Sequence, residues 1–159
     1  MINQKQADRV KVHIHDAVAK GAKIELGGGA NGAYVEPTIV TNTSPDMLLM
    51  QEETFGPVAP VILFQTNNEA IAISNDTEYR LSASVFSQNK ERVLNVARRV
   101  ETGMCHVNCC TVNDEPHVPF GGAKSSGLGR NGGRWSIETF SKTRWITLER
   151  GGRHFPPMF

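Results

Sequence analysis

The chain has 159 residues, 39% of them hydrophobic, and 17 basic against 16 acidic side chains leave a formal charge of +1. That balance gives no electrostatic drive toward nucleic acid or an anionic membrane, and no stretch has the length needed to span a bilayer. The three cysteines lack framework spacing, and the opening MINQKQADRVK lacks a charged leader and an apolar core, so a soluble cytoplasmic protein in one compact domain is expected.

Residues 3–20 read as a helix with Val10, Ile14, Ala17 and Val18 on one stripe and Gly21 at its end. Ala22 to Leu26 is a short strand. The GGGANG that follows lacks G-x-G-x-x-G spacing and a Gly-Lys-Ser/Thr ending, so it reads as a surface turn and not a phosphate loop. Ala33 to Val40 is extended, with Pro37 marking an edge or an irregularity. Val58 to Phe64 is a nearly continuous apolar strand, and Asn67 or Asn68 caps a helix reaching Asn75. Leu81 to Phe86 alternates as a strand. Residues 90–101 form an amphipathic helix with Val93, Leu94, Ala97 and Val100 inward, and Met104 to Asn108 is the next strand. This alternation predicts an α/β fold with a parallel sheet and covering helices. A loop-rich stretch, 109–131, leads to a short helix near 133–139 and a final strand, Thr143 to Glu149.

QEETFGP, Gln51 to Pro57, is the most informative segment. Gly56 permits an unusual backbone angle and Pro57 fixes the next, which would set Glu53 and Phe55 at the head of strand 58–64. A carboxylate there suits a sugar diol, and a ring suits a ribose or a base. Equally, the segment suits a tight turn with a solvated acid and a core phenylalanine.

QEETFGPVAPVILF resembles the EE-x-FGP segment of the NAD(P)-dependent aldehyde dehydrogenase superfamily. Three further blocks agree in order and spacing: residues 79–108, DEPHVPFGGAKSSGLGR at 114–130, and FSKTRWITLE at 140–149. NDEPHVPFGG and RWITLERGGRHFPP are most similar to the aromatic-aldehyde branch, the benzaldehyde, salicylaldehyde and vanillin dehydrogenases.

The resemblance implies the C-terminal part of the catalytic domain at 1–139, and an oligomerisation strand with a C-terminal arm at 140–159. It implies NAD or NADP as cofactor, a small aldehyde as substrate, and a homo-oligomer or a complementary chain held through the final strand. Glu53 would bond the nicotinamide ribose, Phe55 would pack beside it, and Glu52 would be a supporting acid. Asn108 resembles a position that supports the active-site loop. Cys109 and Cys110 would line the mouth of the aldehyde tunnel, and Phe120 resembles an aromatic wall of the substrate site. The family's nucleophilic cysteine, base glutamate, oxyanion-hole asparagine and Rossmann domain lie upstream of EE-x-FGP and match no position here. The chain alone is therefore expected to have little or no activity.

Rival readings stay open. The chain could be a non-catalytic assembly module or an incomplete gene product. A thiol hydrolase could use Cys109 or Cys110 with His106 or His117. A metal site from Cys105, Cys109, Cys110 and His117 lacks C-x-x-C spacing. The bland account makes these cysteines small loop residues, with Cys105 filling the core. Gly121, Gly122, Gly127, Gly129 and Arg130 read as scaffold, and Lys124 as a loop anchor.

Overall fold

A computed structural model describes residues 1–152 and 156. Helix α1, Gln4–Ala19, starts at Asn3, whose side chain accepts from the Gln6 N–H, one of the donors a helix start leaves unpaired. Its buried residues are Ala7, Val10, His13, Ile14 and Ala17, spaced to lie on one face. His13 takes the place on that face expected for Val18, which stays exposed.

Strand β1, Lys23–Leu26, pairs antiparallel with β4, Thr38–Thr41. The glycine cluster between them folds into a small hairpin of β2, Ala30–Asn31, and β3, Tyr34–Val35. The single extended run expected over 33–40 is thus split. Pro37 has no N–H to donate, and Glu36 donates its own to Gly29 O at 2.9 Å, across the hairpin. Strand β5, Val58–Pro60, joins β4 in parallel after a four-residue helix α2, Leu48–Gln51. It ends before Phe64 because β4 ends at Thr41. Val61 makes the last bond, to Val40 O at 2.8 Å, while Leu63 and Phe64 stand exposed.

Helix α3, Asn67–Asn75, is capped by Thr66 and not by an asparagine. The Thr66 hydroxyl accepts from Glu69 N–H, and Glu69 Oε2 accepts from Gln65 N–H. Strand β6, Tyr79–Arg80, pairs antiparallel with β9, Ala123–Lys124. Strand β7, Ser82–Val85, pairs in parallel with β8, Met104–Val107, through helix α4, Lys90–Ala97. Val93 and Val100 are buried as expected, although the helix ends at Ala97. Helix α5, Gly133–Phe140, closes the regular structure.

The expected parallel sheet is therefore present as two separate parallel pairs, β4–β5 and β7–β8. The final strand does not form. Residues 141–149 pair with nothing among the described residues, and a strand needs a neighbour for its N–H and C=O groups. Trp145, Ile146 and Leu148 are exposed there. Residues 153–155 and 157–159, most of the expected arm, lie outside the described residues.

Two clusters form the core. One joins Ala17, Ala22, Val40, Met47 and Leu49, the other Ala7, Val10, Ile14 and Val35. Both belong to the first half, and both rest on α1. The accessible surface is 11877 Å² for 17.4 kDa. Size scaling gives about 7,900 Å² for a compact monomer of this mass. The chain thus exposes more surface than a compact monomer of its mass.

Candidate functional site

The QEETFGP turn is built on α1. Gln6 Nε2 donates to two successive carbonyls, Thr54 O at 3.1 Å and Phe55 O at 3.3 Å. Glu52 Oε2 lies 3.3 Å from Arg9 Nη2 and 3.5 Å from His13 Nε2. His13 Nδ1 is 3.1 Å from the Thr54 hydroxyl oxygen. A Cβ added to Gly56 would sit 2.5 Å from Val10 Cγ2, so the turn lies close against the helix. The unusual backbone angle expected at Gly56 falls instead on Phe55, at φ +46°. Glycine here serves close approach.

This arrangement separates the two glutamates. Glu52 is tied to the helix, while Glu53 has no hydrogen-bond or ion-pair partner among the described residues and is exposed. Phe55 is 72% exposed, not a core ring. The turn holds its backbone and offers an acid and an aromatic face outward. Such a pair suits a sugar diol beside a flat ring.

Asn108 leaves β8 at φ +53° and brackets the end of β7. Its Oδ1 accepts from Ser87 N–H at 2.9 Å and its Nδ2 donates to Ser87 O at 3.0 Å. Its own N–H donates to Val85 O. In the loop that follows, Cys109 is half-buried and Cys110 is exposed. Cys110 Sγ donates to Val112 O at 3.0 Å, closing a local turn. Phe120 bridges Asn131 through both backbone groups and is 37% exposed. Lys124 Nζ donates to Thr77 O, and Arg130 Nη1 to Gly122 O and Gly129 O, so both brace the glycine-rich loop.

No Cys–His hydrogen bond forms among the described residues. His117 Nδ1 sits 3.4 Å from Glu115 Oε2. His106 lies opposite Ser84 in the β7–β8 register, and its Nε2 and the Ser84 hydroxyl are both buried without a partner. Burial raises the Cys105 thiol above its ordinary pKa, which disfavours the thiolate. No group of three metal-ligating side chains forms among the described residues.

Neither of two larger cavities gathers the candidate residues. A cavity of about 410 Å³ lies between α3, α4 and β7, lined by Phe64, Ala70, Val85, Val93 and Val96. A cleft of about 640 Å³ is lined by Met50, Ile62, Asn75, Glu78 and Lys124. Glu53, Phe55, Asn108, Cys109, Cys110 and Phe120 line neither. Gln6, Arg9 and His13 were not expected from the sequence to support the turn. A histidine three residues after Val10 and four before Ala17 falls on the apolar face, and that spacing was the available signal.

Parallel strand pairs connected through helices, with a turn pinned at the head of one strand, define an α/β protein of crossover type. The chain belongs to the aldehyde dehydrogenase family, whose model ("Aldehyde dehydrogenase family") matches residues 1–146. It is 45% identical over 156 residues to a vanillin dehydrogenase of Pseudomonas fluorescens, covering 98% of this chain and 32% of that protein. A benzaldehyde dehydrogenase of Bacillus subtilis (strain 168) is also 45% identical over 98% of this chain and 32% of its own length. The crystal structure of a salicylaldehyde dehydrogenase from Pseudomonas putida G7, complexed with salicylaldehyde, aligns with a TM-score of 0.93. That alignment has 39% identity and covers 98% of this chain and 32% of that one. The chain thus spans about a third of the length of these relatives.

Proposed function

We propose that this chain is the cofactor-positioning and substrate-mouth portion of a dehydrogenase that oxidises aromatic aldehydes to carboxylic acids with NAD or NADP. The observation that carries the reading is the pinned turn, which leaves the Glu53 carboxylate without a partner among the described residues and the Phe55 ring open. Relatives named for vanillin, benzaldehyde and salicylaldehyde support the aromatic substrate class.

Glu53 accepts hydrogen bonds from the nicotinamide ribose hydroxyls. Phe55 packs on the same sugar and fixes its tilt. When bound, the nicotinamide supplies the hydride acceptor. Asn108 holds the end of β8 to the β7 chain, so the loop carrying Cys109 and Cys110 starts from a fixed point beside the substrate path. Phe120 gives that path an apolar wall, suited to an aromatic ring by burial and stacking. The final segment, 141–149, pairs with a second copy or with a complementary chain. No helix among the described residues is long and apolar enough to cross a membrane. The three cysteines without framework spacing support a reducing, cytoplasmic compartment.

Two assays test this. The purified chain, given benzaldehyde and NAD or NADP, is expected to form no reduced nicotinamide at a rate above background, and ordinary turnover would overturn that. In a dehydrogenase completed with the rest of the family fold, Glu53→Gln and Phe55→Ala are expected to raise KM for the dinucleotide and lower kcat. Unchanged kinetics in both variants would sink the ribose contact.

A further inference from the structure

We propose that His13, assisted by Gln6, is a positioning residue for the Glu53–Phe55 clamp, an inference that rests on the cofactor contact proposed above. His13 is 2% exposed, yet it is not a plain core filler. Both ring nitrogens face the same distant turn, Nδ1 toward the Thr54 hydroxyl at 3.1 Å and Nε2 toward Glu52 Oε2 at 3.5 Å. Gln6, about two turns earlier on α1, holds the carbonyls of Thr54 and Phe55. Arg9 completes the hold on Glu52, while Asp16, the next acid along the helix, is engaged by Lys20 and the Leu48 N–H.

The proton position follows from the partners. A carboxylate only accepts, so the tautomer that suits both neighbours carries its proton on Nε2, facing Glu52, and accepts at Nδ1 from the Thr54 hydroxyl. A ring protonated at Nδ1 alone would turn a lone pair toward the carboxylate. Glu52 has extended backbone, φ −117° and ψ 150°, so successive side chains there point to opposite sides. Fixing Glu52 inward therefore sends Glu53 outward. Thr54 is held by the same ring, and Gln6 donates to the carbonyl of Phe55, whose φ is +46° and whose ring stands exposed. The ring of His13 thus holds the residue before each clamp residue, Glu52 before Glu53 and Thr54 before Phe55.

The test uses His13→Phe, which keeps the ring and removes both nitrogens, and His13→Asn, whose amide oxygen can accept from the Thr54 hydroxyl near the Nδ1 position. Backbone amide relaxation and shifts are recorded for the full chain. His13→Phe is expected to loosen Glu53 to Phe55 while α1 stays ordered, and His13→Asn to restore part of the order. Wild-type-like order at Glu53 to Phe55 in His13→Phe would overturn the proposal. If His13→Phe loses global dispersion, Gln6→Leu carries the same comparison from outside the core.

In the completed dehydrogenase, His13→Phe is expected to raise the dinucleotide KM about tenfold, equivalent to about 1.4 kcal/mol. The aldehyde KM should move by no more than about twofold, which is under about 0.5 kcal/mol. Equal changes in both constants would mark a general structural role and overturn the proposal. A loosened turn with an unmoved dinucleotide KM would remove the ribose contact and leave the hold of His13 on the turn established.

Discussion

Gly103 sits where no side chain fits. A Cβ there would run into the carbonyl of Gly121 and come within 2.9 Å of the Gly122 Cα, so the start of β8 and the glycine-rich loop touch backbone to backbone. Gly103→Ala is expected to cost about 1–3 kcal/mol, because the obstacle is main chain and cannot rotate aside. A thermal melt of the variant beside wild type reads this directly, and an unchanged midpoint would refute the contact. At this scale the site was partly legible. Residue types marked Glu53 and Phe55, and the resemblance assigned them a role. Asn108 showed its bracket potential because an amide both donates and accepts, and it does both to Ser87. The partners of the turn were not legible, since Gln6 and His13 lie more than forty positions away and only folding brings them close.

At the scale of elements, Asp16 ties two helices together. Its carboxylate accepts from Lys20 Nζ at 2.8 Å and from the Leu48 N–H at 2.8 Å, at the start of α2. The Lys20 bond first, and then the Leu48 bond, hold its pKa below the ordinary aspartate value. The folded state therefore releases this proton more readily than the unfolded state, and stability rises with pH in that window. The contribution is complete above the unfolded pKa of about 3.9 and is lost as pH falls through the lower folded value. Asp16→Asn keeps the shape and removes the titration, so its melting temperature should fall less steeply than wild type in acid. Parallel acid limbs would refute the linkage. Helices were well read, because apolar period and caps are local signals. Strand lengths were overestimated. Val58 to Phe64 is uniformly apolar, but β5 extends only as far as β4 offers partners. Strand ends are decided by a neighbour that the local pattern does not reveal.

At the scale of the whole molecule, the fold class followed from the strand–helix order, but its completeness did not. Alternation predicted one parallel sheet, and the described residues instead make two parallel pairs in separate sheets, one of them flanked by the antiparallel β1. The excess accessible surface agrees with this, as do Phe140, Trp145, Ile146 and Leu148, all 77% exposed or more. Apolar surface on this scale is normally covered. We expect the purified chain to self-associate through 141–149, and Ile146→Lys to shift it toward monomer in size-exclusion with light scattering. A monomeric wild-type chain would refute the self-pairing. Phe55 carries a last consequence. A bulky residue in left-handed backbone is unfavourable by roughly 1–2 kcal/mol, and packing inside the chain does not repay it, since the ring is 72% exposed. In folding-landscape terms it is a locally frustrated residue, one whose conformation the surrounding fold tolerates without gaining from it. A sequence shaped by stability alone would place glycine or asparagine there, so this ring is expected to serve a contact it makes when the chain is not alone.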